Sequence, residues 1–221
     1  MVHRREIAGE EVLFGNHGAL YGNALTMFDH ATGSVWSQIS GEVLLGPLAG
    51  EQLELIPSTL TDWGTWRREH PNTLALDAEG GRSGFDVDDT VIAVEFGDDS
   101  VGVPVRDLRD NGVANLTVGG VPVAVAADPT PGGWWSVFSR QLDDRVVTLE
   151  LVDGDILVEV EGPGEWDAVR GLPRDDGERL DPIGALTIFP SDFQVHFDGG
   201  RLWSPLEDQA LPETSGTTQQ R

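Results

Sequence analysis

Between residues 17 and 38 lie His17, Asp29, His30, Thr32, Ser34 and Gln38. Imidazole and carboxylate groups in so short a stretch could ligate a divalent cation through nitrogen and oxygen. The spacing argues against it. No His-Glu-x-x-His pattern occurs, and neighbours such as Asp29 and His30 point to opposite faces of a strand. The stronger reading makes Asp29 structural, its carboxylate accepting N–H groups from the Ala31-Thr32-Gly33-Ser34 turn. Asp, Thr, Gly and Ser each suit such a turn for a separate physical reason. No metal, no cofactor and no catalytic residue is assigned. His17, Asp29, Thr32, Ser34, Trp36, Gln38 and Trp134 stand as candidate binding residues.

The tryptophans offer a second chemistry. Exposed indoles beside carboxylates stack on sugar rings. Against this, Trp63 and Trp66 share one helical face, and core packing is the favoured reading for Trp36, Trp63 and Trp66. Trp134-Trp135 follows Gly132-Gly133, and at least one of that pair is expected at the surface. Nucleophilic catalysis finds no frame: there is no Gly-x-Ser-x-Gly elbow and no Cys. Gly15-x-x-Gly18 opens no amphipathic helix, so it is not a phosphate loop. Paired carboxylates are too many to be diagnostic.

There are 38 acidic residues against 14 basic ones, a formal charge of −24, and every base is Arg. Dense carboxylates without Lys read as adaptation to molar salt, where counter-ions screen their repulsion. No basic stripe exists to meet nucleic-acid phosphates. No apolar run is long enough to span a membrane, and the stretch after Met1 has no secretion-signal character. As written the chain reads as cytoplasmic. If the true start lies upstream, the cell surface or the exterior becomes the expectation.

The elements that must position these residues are mostly strands. Thr90–Phe96, Val121–Ala126, Arg145–Leu151 and Gly154–Val160 are rich in β-branched residues and bounded by Gly-Asp or Gly-Gly. A helix is predicted over Ser58–His70, capped at Ser58 or Thr61 and closed by Pro71. Another turn or two is expected over Pro104–Asp110. The segment 207–221 reads as a disordered tail.

The first block also has an echo. Seven residues before Trp36 and before Trp166 sits an acid, Asp29 or Glu159, and Gly41 and Gly171 follow at equal spacing. Trp63, Trp66 and His70 are matched to Phe189, Phe193 and His196. The fold class expected is therefore mainly β: two homologous β-rich pseudo-repeat units with one or two short helices. The first unit, 1–80, lacks an upstream arm present in the second, 88–206. The hydroxyls of Thr32 and Ser34 and the Gln38 amide have no counterpart in the second unit.

Phe14-Gly-x-x-Gly18, Leu25-x-Met-Phe-Asp-x-x-Thr-Gly-Ser-x-Trp-x-Gln38, Gly46-Pro-Leu-x-Gly50 and Trp63-x-x-Trp-x-x-x-His-Pro71 form one signature. It resembles the bacterial and archaeal family catalogued as domain of unknown function 3179, over about residues 5–205. The composition leads one to expect a haloarchaeal-type member, and the arm missing from the first unit leads one to expect that it is incomplete at its N-terminus. The resemblance implies two β-rich units, often an exported or lipid-anchored product, and no established reaction. It also implies an upstream Tyr-Cys-Pro-Leu type motif, which this chain lacks. The expected function is a non-enzymatic binding or scaffold module for a polysaccharide, small-molecule or protein ligand, working among counter-ions at high salt. The alternative is an enzyme or metal-binding protein with its site around His17, Asp29, Thr32, Ser34 and Gln38.

Overall fold

The computed structural model describes residues 1–75 and 86–205; the tail expected over 207–221 lies outside them. The chain is mainly β, as its short β-branched runs predict. Strands β1 (Glu6–Ile7) and β2 (Glu10–Glu11) form a small hairpin. Next, β3 (Phe14–Tyr21), β4 (Ala24–Asp29), β5 (Val35–Ser37) and β6 (Val43–Leu45) make an antiparallel sheet in chain order. The β3–β4 turn is Gly22-Asn23, with φ of 54° and 69°, the two left-handed residues that a tight hairpin needs. Strand β3 bulges between Asn16 and Leu20.

Helix α1 (Trp63–Glu69) is shorter than the helix predicted from Ser58. The missing turn is spent elsewhere. The Leu60 carbonyl accepts the Trp135 N–H at 3.0 Å, and the Thr59 hydroxyl donates to the Val169 carbonyl at 3.3 Å. These partners from the second half hold residues 58–61 extended, overriding local helix preference.

A 3-10 turn at Val87–Asp89 leads into β7 (Val91–Phe96), β8 (Asp99–Pro104) and α2 (Val105–Asn111). The helical turn foreseen after Pro104 is thus present. Strands β9 (Val113–Val118), β10 (Val121–Ala127) and β11 (Trp135–Ser139) form a three-stranded sheet. Strands β12 (Gln141–Leu142) and β13 (Arg145–Val146) pair. They are followed by the sheet of β14 (Leu149–Val152), β15 (Ile156–Glu159) and β16 (Glu165–Asp167). Strand β17 (Leu186–Ile188) precedes α3 (Pro190–His196), and β18 (Arg201–Leu202) completes a sheet ordered β17-β7-β8-β18. Helix α3 exceeds the one or two helices expected; Pro190 opens it at a position where proline's missing N–H costs nothing.

The valine-rich faces of β7 to β10 enclose one core with Trp135 and Trp203. A second lies around Trp134, Phe138, Leu157 and Trp166. A third joins the halves: Ala24 and Ile39 pack with Val91, Ala93, Leu186, Phe193 and Phe197. Both members of the Trp134-Trp135 pair are buried, at 3% and 2% exposure, against the expectation that one would be exposed. Gly132 does sit in an exposed turn, at φ 73°, but the chain turns inward at Gly133 and carries both indoles into the core. Gly133 lies so close that an added Cβ would stand 2.7 Å from Asp128.

The two halves carry parallel backbone bonds. Asp29 N–H donates to Ser34 O as Glu159 N–H donates to Gly164 O. Ser37 to Glu42 runs as Asp167 to Leu172, and Leu53 to Gly41 as Leu180 to Gly171. Arg4 to Glu54 runs as Ser139 to Asp181, and Ile56 to Val2 as Ile183 to Val137.

Candidate functional site

Four of the sequence candidates meet. Asp29 ends β4 and is fully buried. Its carboxylate accepts the Thr32 N–H at 2.5 Å, the Thr32 hydroxyl at 2.8 Å and the Trp36 indole N–H at 3.0 Å. Burial by itself would push this carboxyl up. The bonds from Trp36, Thr32 and Ala31 together outweigh it and hold the group below the ordinary carboxylate value. The Thr32 and Ser34 hydroxyls lie 2.7 Å apart, and Ser34 Oγ also accepts the Leu48 N–H at 3.3 Å. Gly46, at φ 117°, presses on Ser34 so closely that a Cβ would stand 2.7 Å from Ser34 Cα.

This arrangement knits one turn and clamps a second. Asp29 meets three donors at close range, so its carboxylate is committed to holding the turn rather than poised to take a proton from a substrate. Trp36 is fully enclosed, with its ring edge-on to Phe14 at 5.7 Å.

The other candidates lie apart from this cluster. His17 is exposed on the β3 bulge, its Nδ1 3.1 Å from Thr26 Oγ1. Thr26 spends its one proton on the Ala19 carbonyl at 2.9 Å, so it accepts from His17, whose Nδ1 carries the hydrogen. The Gln38 backbone carbonyl accepts from His3 Nε2 at 2.9 Å. Burial pushes the His3 imidazole below its usual value, although that bond opposes the shift. Trp134 is core. Among the described residues, no group of three or more His, Asp or Glu side chains is placed to hold a metal ion.

A different surface stands out. Helices α1 and α3 share their wiring. Trp66 N–H donates to Asp62 O as Phe193 N–H donates to Phe189 O, His70 to Trp66 as Phe197 to Phe193, and Thr73 to His70 as Gly200 to Phe197. The counterpart of His70 is therefore Phe197, not His196 as the sequence alignment has it. Burial differs sharply. Phe193 is 1% exposed and Phe197 7%, stacked at 5.1 Å beneath β7 and β8. Trp63 is 49% exposed and Trp66 42%, contrary to the core role favoured for them. Trp66 meets the His70 ring at 3.9 Å, tilted by 37°, and its N–H donates to Thr73 Oγ1 at 3.2 Å.

Beside α1 lies a cavity of about 440 Å³ between the halves, walled by Leu60, Trp63 and Trp66 and by Thr61, Trp135 and Thr187. Thr61 Oγ1, Trp135 Nε1 and Thr187 Oγ1 are all buried and all lack a hydrogen-bond partner. Each such group costs roughly 1–3 kcal/mol, so three in one cavity is a concentrated debt. No acidic, Arg or His side chain lines it. Nothing in the sequence marks Thr187, and Thr61 and Trp135 enter it only as a helix cap and as one of a tryptophan pair, because only tertiary packing strands their polar atoms.

Residues 1–86 match a family model described as Protein of unknown function (DUF3179), the family that the motifs resemble. No curated protein and no solved structure matches.

Proposed function

We propose that this chain, whose first 86 residues match the DUF3179 pattern, is a non-catalytic binding module that receives a protein ligand on the outer face of α1. The observation that carries this is the contrast between Trp66 and Phe193, at equivalent stations on similarly bonded helices and at 42% and 1% exposure. A large indole left in water forgoes about 1.5–3 kcal/mol of burial. Thr61, Trp135 and Thr187 line the recess beside it. Anchors of this type, aromatic and next to a recess, dominate binding energy at interfaces.

The two-unit reading, about 1–80 and 88–206, is supported by the recurrent backbone bonds. Adaptation to molar salt is supported by the charge of −24 without Lys. The alternative, chemistry around His17, Asp29, Thr32, Ser34 and Gln38, is disfavoured: Asp29, Thr32 and Ser34 bond to one another, while His17 bonds to Thr26. No helix among the described residues is long and apolar enough to cross a membrane.

Acrylamide quenching of the full chain tests the binding face. Two of the seven indoles, Trp63 and Trp66, are expected to be accessible, and Trp66→Phe should remove about half of that quenching. Uniform protection of all seven would sink the proposal.

A further inference from the structure

We infer that Asn111 is a site of spontaneous deamidation, and that the last turn of helix α2 governs how fast it reacts. The reaction needs only water. Its product is an aspartate or isoaspartate where the fold is built around an amide.

The chain has five Asn, and Asn111 is the one that precedes a glycine. The pairing matters because the next residue's backbone nitrogen is the attacking group. A side chain on that residue shields the nitrogen and restricts the backbone; glycine does neither. The Gly112 nitrogen bonds to Asn111 Cγ and gives up its proton, and Nδ2 leaves as ammonia. Water then opens the five-membered imide at either carbonyl, leaving aspartate in one case and isoaspartate in the other. The fold itself demands the glycine. Gly112 caps α2 at φ 77°, where a Cβ would stand 3.2 Å from the Leu151 side chain.

In the closed structure each reacting group is engaged. The Gly112 N–H donates to the Leu108 carbonyl at 2.7 Å, and Asn111 Nδ2 donates to the Asp107 carbonyl at 2.7 Å. The Gly112 carbonyl accepts the Ala127 N–H at 3.0 Å, which ties the junction to β10. The lock is nevertheless a terminal one. Helix α2 has seven residues and no side-chain N-cap, too short to stand without packing. Buried Val105 and Leu108 pin it, together with Arg109, which donates to Asp88 Oδ1 at 2.7 Å and to the Gly133 carbonyl at 3.0 Å. These side-chain anchors end at Arg109. Asp110 and Asn111 lie exposed beyond it, and helix ends open at small cost.

The change is not undone when the turn closes again. A carboxylate at position 111 replaces the donor that met the Asp107 carbonyl, and it sits at the negative end of the helix. Isoaspartate also lengthens the main chain by a methylene, which pulls Gly112 away from Leu108 and Ala127.

The test incubates the full chain in mildly alkaline 3 M KCl, with and without urea. Conversion at each Asn is followed by peptide mass spectrometry, with isoaspartate separated from aspartate by chromatography. In urea Asn111 should convert ahead of Asn16, Asn23, Asn72 and Asn115. Without urea it should still convert, at least tenfold more slowly. The ratio of the two rates should match the hydrogen-exchange protection of the Gly112 amide, since one opening governs both. Arg109→Ala unpins α2 and should raise the native rate at least threefold while leaving the rate in urea unchanged. Asp88→Asn cuts the same ion pair from its other end and takes its place if Arg109→Ala does not fold. Another Asn converting first in urea would overturn the choice of site. Control by α2 is overturned by equal rates with and without urea, by no native conversion while the Gly112 amide exchanges, or by a native rate indifferent to the unpinning variant.

Discussion

The indole N–H of Trp36 donates to the Asp29 carboxylate across 3.0 Å, and both side chains are wholly enclosed. The pair fixes the β4–β5 turn from inside. Asp29→Ala strands the Trp36 and Thr32 donors, and hydrogen bonds to a charged group are worth more than neutral ones. A loss of about 3 kcal/mol is expected, read by urea unfolding at fixed high salt. Trp36→Phe combined with Asp29→Ala should cost less than the sum of the two single changes, because each removes the same bond. Additivity would mean that the bond contributes nothing.

The same carboxylate sets an acid limit. Its folded-state value lies below the ordinary one. Its stabilising contribution is therefore whole above the unfolded value and is lost as pH falls through the folded value, that is, below about pH 4. Asp167 acts with the same sign. Burial raises its carboxyl, but the Arg170 side chain and N–H, with the Val169 N–H, hold it down. Urea midpoints of the parent and of Asp29→Asn, measured between about pH 6 and pH 3, should converge at the acid end. A constant gap across that range would contradict the assignment.

Arg140 offers a contrast between the halves. It is 9% exposed and donates to the carbonyls of Leu116 at 2.9 Å, Val123 at 3.2 Å and Val147 at 2.7 Å. It thereby ties three separate segments together. Arg5, in the corresponding place by backbone bonding, is exposed and, among the described residues, pairs with Glu11. Arg140→Met should cost about 4 kcal/mol, since three buried acceptors lose their donor. Arg5→Met should change stability by less than ~0.5 kcal/mol, as exposed ion pairs do. Equal effects in chemical denaturation would refute this reading of the two arginines.

Much of this was legible in residue types. The runs Thr90–Phe96 and Val121–Ala126 read as strands because β-branched side chains and flanking glycines agree, and β7 and β10 lie there. The Asp29 turn was legible because Asp, Thr, Gly and Ser serve it locally. What sequence misjudged was burial decided at long range. Trp63 and Trp66 form an apolar helical face that any periodicity rule sends to the core, yet no element among the described residues packs on α1 as β7 and β8 pack on α3. Trp134 and Trp135 were misjudged in the opposite sense, because the turn marked by the glycines ends at Gly132 and the chain enters the core before β11 begins at Trp135. The extended course of residues 58–61 depends on Trp135 and Val169, which no local window contains.

Salt supplies the last test. With 38 acids against 14 arginines, self-repulsion rises as screening weakens, from a Debye length of about 3 Å at 1 M to about 10 Å at 0.1 M. Specific places for that strain can be named. In the β1–β2 hairpin Glu6 stands directly opposite Glu11, a like-charge cross-strand pair that destabilises the ladder, and Arg5 answers Glu11. The midpoint of thermal unfolding should fall by at least ~10 °C between 3 M and 0.1 M KCl. Glu6→Gln should recover part of the loss at 0.1 M and nothing at 3 M, because the repulsion it removes is already screened there. A fall in midpoint that Glu6→Gln leaves untouched at both salts would place the strain elsewhere on the surface. A midpoint independent of salt would show that the acidic surface is not an adaptation to salt.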